Sequence, residues 1–99
     1  MSVLDRTTTI LWKYFSDKGF QVISADSSLP LENTIAFVLS IPKELEDKAI
    51  SNIDIEDVIN LNSYIQKLGY RFSKVDLLRF EIRKKDILLS ILVRLKRVG

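Results

Sequence analysis

The chain has 99 residues, 46% hydrophobic and 28% charged, with 15 Lys and Arg against 13 Asp and Glu. A chain of this kind reads as one soluble domain, residues 1–99, able to remove roughly 60–68% of its unfolded surface from water without a metal or disulfide staple. Cys and His are both absent, which excludes disulfides, thiol nucleophiles, zinc fingers and Ser-His-Asp triads.

Thr7, Ile10, Leu11, Tyr14 and Phe15 recur at helical spacing, with Leu4 one turn earlier and Gly19 as a stop, and predict a helix over residues 3–18. Phe20 to Ala25 alternates and reads as a strand; Asp26 to Asn33 gathers turn formers around Pro30 and reads as a surface loop. Thr34 to Ile41 is almost continuously apolar, the pattern of a central strand covered on both faces. Pro42 ends it and opens a short helix, Lys43 to Ile50, broken by Ser51 and Asn52. A second long helix is expected over Asp54 to Leu68, carrying Ile55, Val58, Ile59, Leu61, Ile65 and Leu68 on one face, capped by Asp54 or Ser51 and stopped by Gly69. Tyr70 to Val75 reads as a short strand. Leu78, Phe80 and Ile82 then alternate with Arg79, Glu81 and Arg83 before a polar turn at Lys84-Lys85-Asp86 and a strand from Ile87 to Lys96, which together predict a β-hairpin.

A turn at Lys85-Asp86, or a four-residue turn from Lys84 to Ile87, makes facing residue numbers add to 171. Leu78, Phe80 and Ile82 then face Val93, Ile91 and Leu89, while the other face pairs Arg79 with Leu92, Glu81 with Ser90 and Arg83 with Leu88. No Gly or Asn occupies the turn, so the type I′ geometry is disfavoured. The expected fold is α+β, a two-layer sandwich with helices on one face of a mainly antiparallel sheet, in the order αββααβ(β)β. Helix–Gly–aromatic occurs twice, at Lys18-Gly19-Phe20 and Leu68-Gly69-Tyr70, with Asp26 and Asp76 each seven residues past the glycine. That is the mark of a duplication or, more commonly, of two helices ending in the same way.

The αββαββ order is similar to that of the LAGLIDADG homing endonucleases, but Leu11 to Gly19 departs from their pattern. Lys18 stands where a metal-binding carboxylate belongs, and Trp12 and Lys13 replace the small residues of close helix packing. Asp76 with Glu81-Ile82-Arg83 is a loose echo of a PD-(D/E)XK nuclease, with Arg for Lys and too short a spacing. A winged-helix reading would turn Asp54, Glu56 and Asp57 toward phosphates. The glycines are Gly19, Gly69 and Gly99, which rules out a phosphate-cradling loop. A non-enzymatic protein with no catalytic residue, metal ligand or cofactor is therefore expected. The run Ile87 to Val93 is interrupted by Ser90 and is far below the roughly 20 residues of a membrane span, and the first residues carry no basic stretch followed by an apolar core. A cytoplasmic protein with no membrane partner is expected, and abundant Ile, Leu and Lys with few Gly and Pro suit a heat-tolerant organism.

Charge is segregated along the chain. Residues 1–68 hold six basic and ten acidic side chains, residues 69–99 nine and three. Arg83, Lys84, Lys85, Arg94, Lys96 and Arg97 are accordingly the candidate contacts to the phosphates of DNA or RNA, with little sequence preference. The competing reading is a protein-interaction module or a small regulator or inhibitor, a class with viral members, in which the basic strand merely discourages aggregation. Leu88 and Leu92 interleaved with Arg79, Arg83 and Arg94 predict a half-apolar hairpin face covered by a second copy in a homodimer. Trp12, displaced from the apolar stripe of its helix, is a further interface candidate, and Tyr64 is displaced similarly. Asn62 falls inside an apolar stripe, where a backbone partner within the core is the commoner outcome and a pairing device between helices the rarer one.

Overall fold

The computed structural model describes residues 3–28, 30–42 and 55–98. Within them the chain forms α1 (Val3–Asp17), β1 (Gln21–Asp26), β2 (Thr34–Pro42), α2 (Ile55–Gln66), β3 (Tyr70–Ile82) and β4 (Asp86–Arg97). The short helix expected at Lys43 to Ile50, its break at Ser51-Asn52 and the Asp54 cap lie outside the described residues.

The apolar face of α1 and its abrupt end are coupled through one ring. Past the last turn Gly19 adopts a φ of 99°, a left-handed conformation that side chains resist. The Phe20 N–H donates to the Phe15 carbonyl at 3.1 Å and the Gly19 N–H to that of Ser16 at 3.2 Å. This paired closure at a helix end brings the residue after Gly against the last turn: the Phe15 and Phe20 rings meet edge-on at 5.8 Å, and Phe15 meets Phe37 of β2 at 5.2 Å. Gly69, at a φ of 93°, likewise turns the chain out of α2, here after N–H bonds from Leu68 and Gly69 to the carbonyls of Ile65 and Gln66.

The strands form one antiparallel sheet in the order β1-β2-β4-β3. Two αββ halves, α1-β1-β2 and α2-β3-β4, thus meet where β2 pairs with β4, over nine positions from Thr34 opposite Arg94 to Pro42 opposite Asp86. As its apolar run predicts, β2 is central. Ile35, Phe37, Leu39 and Ile41 turn toward the helices and join Leu11 of α1, Ile65 of α2, Ile87 and Val93 in the core. On the opposite side, helix-free among the described residues, Thr34 and Ser40 are also buried, with Ala36 and Val38 half-buried.

Two expectations about the C-terminal strands need correction. Tyr70 to Val75 is not a separate strand: it is continuous with the hairpin arm as the 13-residue β3, interrupted by bulges at Ser73 and Leu78. The register is also two residues from the one expected: Phe80 faces Leu89, Ile82 faces Ile87, Arg79 faces Ser90 and Glu81 faces Leu88. The cause is at the turn. Asp86 accepts a two-pronged bond from Arg83, Nε to Oδ1 at 2.8 Å and Nη2 to Oδ2 at 2.6 Å, while the Arg83 N–H donates to the Asp86 carbonyl at 2.9 Å. These bonds make Lys84-Lys85 the loop, and neither lysine takes a positive φ, so it is not type I′. A shift of two keeps Arg79, Phe80, Glu81 and Ile82 on their expected faces, whereas Leu78, expected opposite Val93, falls in the bulge and Val93 faces Val75.

Phe37 is fully buried and in contact with Phe15, so Phe37→Ala should cost about 3–5 kcal/mol in a denaturant titration, against less than about 0.5 kcal/mol for Leu31→Ala on the exposed loop.

Candidate nucleic-acid interface

Residues 69–99 contain three carboxylates, Asp76, Glu81 and Asp86, and each is held by cations of the hairpin itself. Besides Arg83, Asp86 accepts a bond from the hydroxyl of Ser40 at 2.6 Å, which ties the turn to the end of β2. Asp76 pairs with Arg94 at 2.6 Å and with Lys74 at 3.2 Å, and Glu81 with Arg79 at 2.8 Å. The bonds from Arg83, and then from Ser40, lower the Asp86 carboxyl to about 2. Arg94, and then Lys74, hold Asp76 below the ordinary carboxylate range, and Asp86 raises Arg83.

Arg71, Lys84, Lys85, Lys96 and Arg97 are exposed and form no ion pair among the described residues. They stand in two groups. Lys84 and Lys85 form the hairpin tip, whereas Lys96 and Arg97, with Arg71 opposite Lys96, lie at the far end of the ladder, about 33 Å away along the strand. The six phosphate-contact candidates are therefore not one patch in a single chain, and two of them, Arg83 and Arg94, are engaged by carboxylates.

The interface candidates also part company. Arg79, Leu88 and Leu92 face the helix-free side, while Trp12 projects from α1 in the opposite layer and is 42% exposed. Leu92, expected to lie bare on a lone chain, is 8% exposed, because it sits between Ala36 of β2 and Asp76 of β3 and each is a paired neighbour in the sheet. The bare apolar surface is on the other side. Val75, Leu77, Phe80 and Ile82, on the side of β3 that faces the helix layer, are more than half exposed, as is Leu78 in its bulge. Alternation alone groups Leu78, Phe80 and Ile82 on one apolar face; what sequence reasoning lacked was the bulge that adds Val75 and Leu77 to the row and the position of β3 at the sheet edge, where α2 touches it near its start through Asn62 and Phe72. An apolar groove of about 340 Å³ opens beside the row, lined by residues that include Phe15, Leu61, Phe72, Ser73 and Val75.

Asn62 finds the backbone partner expected of it, its Oδ1 accepting the Phe72 N–H at 2.9 Å beside the first bulge. Tyr64 is exposed. Among the described residues no group of three or more Asp and Glu is placed to hold a metal ion, and no helix is long and apolar enough to cross a membrane. Set against known proteins, the chain matches no family model, no curated protein and no solved structure.

The folded-state depression of Asp86 sets the sign of an acid effect. Its contribution to stability is complete above the unfolded carboxylate value near 3.9 and is lost as pH falls through about 2; Asp76 acts in the same direction. The denaturation midpoint should therefore fall between pH 5 and pH 2, and Asp86→Asn should begin lower at pH 5 and decline less steeply.

Proposed function

We propose that this chain is a small non-enzymatic binding protein whose β3–β4 hairpin contacts the phosphates of a nucleic-acid backbone without reading base sequence. The observation that carries the reading is the charge inventory of the hairpin: its three acidic side chains are each engaged by Arg or Lys, while Arg71, Lys84, Lys85, Lys96 and Arg97 stand exposed with no ion pair among the described residues. Exposed cations on a rigid ribbon displace condensed counterions when they meet phosphates, and that release supplies sequence-independent affinity. Base reading has no support. Tyr70 is buried and Phe72 packs against the core, so neither offers a ring for stacking.

A protein-interaction role is favoured by a different observation, the exposed apolar row of β3, which does not compete with the basic positions for the same side chains.

Lys84→Glu with Lys85→Glu should weaken binding to all oligonucleotides alike and flatten the logarithmic salt slope by roughly 2, with the denaturation midpoint nearly unchanged. A gel shift at about 50 mM salt checks this, and failure of the unmutated protein to retard either DNA or RNA there overturns the reading.

A further inference from the structure

We propose that two copies of this chain pair edge to edge along β3, antiparallel about a twofold axis between Leu77 and Leu78, forming a continuous eight-stranded sheet. Among the described residues β3 is an outer strand of 13 residues with β4 on one side only. Long outer strands with apolar rows are templates for strand addition unless something blunts them. The charges of β3 do not blunt a second copy of itself, because they are arranged to meet it.

The segment from Lys74 to Glu81 reads Lys-Val-Asp-Leu-Leu-Arg-Phe-Glu. With facing residue numbers adding to 155, Lys74 of one copy lies opposite Glu81 of the other and Asp76 opposite Arg79, while Val75 meets Phe80 and Leu77 meets Leu78. Both charged pairs are of opposite sign, and each occurs twice. Changing that sum by two in either direction sets Lys74 against Arg79 or Asp76 against Glu81, which is repulsive.

Side-chain faces agree with the same register. In an unbroken strand, residues whose numbers add to an odd sum point to opposite sides of the sheet, and a twofold pairing of that kind is impossible. The bulge at Leu78 resets the alternation. Lys74, Asp76, Arg79 and Glu81 all pair with β4 residues of the helix-free side, and Val75, Leu77, Phe80 and Ile82 with residues of the helix side. In the 155 register Lys74 and Glu81, Asp76 and Arg79, and Val75 and Phe80 therefore share a face. On the helix side, Phe80 and Ile82 of one copy come opposite Val75 and Ser73 of the other, two residues that line the apolar groove, so the groove and the exposed row cover each other.

The pairing is tested on the full chain without nucleic acid, so that its outcome is independent of phosphate binding. Light scattering or sedimentation equilibrium should give twice the 11.4 kDa chain mass at tens of micromolar. Lys74→Glu alters an exposed side chain and Glu81→Lys a half-buried one at the sheet edge, and both should leave the circular dichroism unchanged, yet each should weaken its own homodimer about tenfold or more by creating two like-charge pairs. Mixing the two variants should restore association, since in the mixed dimer every 74–81 pair is again Lys opposite Glu. A wild-type chain that stays monomeric at hundreds of micromolar overturns the proposal, as does a dimer that neither variant weakens or that mixing fails to rescue.

Discussion

The β2–β4 ladder is the constraint on which the rest of the structure depends. It joins segments some fifty residues apart, from Thr34 opposite Arg94 to Pro42 opposite Asp86, and without it the chain would be two separate αββ units, each with a sheet too narrow to be stable alone. Because both central strands turn alternate apolar residues to the same side, Ile35, Phe37, Leu39 and Ile41 beside Val93, Ile91, Leu89 and Ile87, the ladder defines a single floor for both helices. Next to its midpoint, the pair Leu39 opposite Leu89 is separated by the same fifty positions as Gly19 and Gly69. The recurring helix–Gly–aromatic unit thus has a geometric counterpart: the two halves lie about an approximate twofold through the centre of the sheet.

Much of this was legible in the chain, and the reasons differ from element to element. α1 carries five residues of one stripe and a terminal Gly, so periodicity and a stop signal agree to within a residue. β2 was legible as central because eight nearly unbroken apolar or small positions are intolerable on an outer strand. The hairpin was recognisable but its register was not, because the turn depends on a side-chain fork between Arg83 and Asp86 and not on a Gly or Asn that turn rules identify. Bulges at Ser73 and Leu78 have no compositional mark at all; they hid the unity of β3 by making its alternation look interrupted. Nor does alternation reveal which strand will be outermost, so nothing in the pattern of Leu78, Phe80 and Ile82 marked that face as one left bare.

The electrostatic design of the hairpin follows from the same placements. An outer strand, its neighbour and their turn carry nine of the chain's fifteen Lys and Arg, and acidic residues at three points divide them into a nearly neutral middle and two cationic ends. Asp76 and Glu81 offset two of the three charges of Lys74, Arg94 and Arg79 along the middle, whereas Asp86 secures the turn from inside. The cations that hold the ribbon together and those left facing water are thereby different side chains. The candidate set named from sequence mixed the two, since net charge by segment cannot distinguish an arginine holding a carboxylate from a lysine facing water.

The bulge at Leu78 also bears on how the chain tolerates changes of length. In most strands the loss of one residue reverses every side chain beyond it, moving apolar groups into water. Here one residue can be lost between Leu77 and Arg79 without any neighbour changing sides, because Val75, Leu77, Phe80 and Ile82 would then alternate in an unbroken ladder against Val93, Ile91, Leu89 and Ile87. The middle of β3 is thus a point in a regular strand where a deletion is structurally silent, a tolerance that proteins ordinarily confine to their loops.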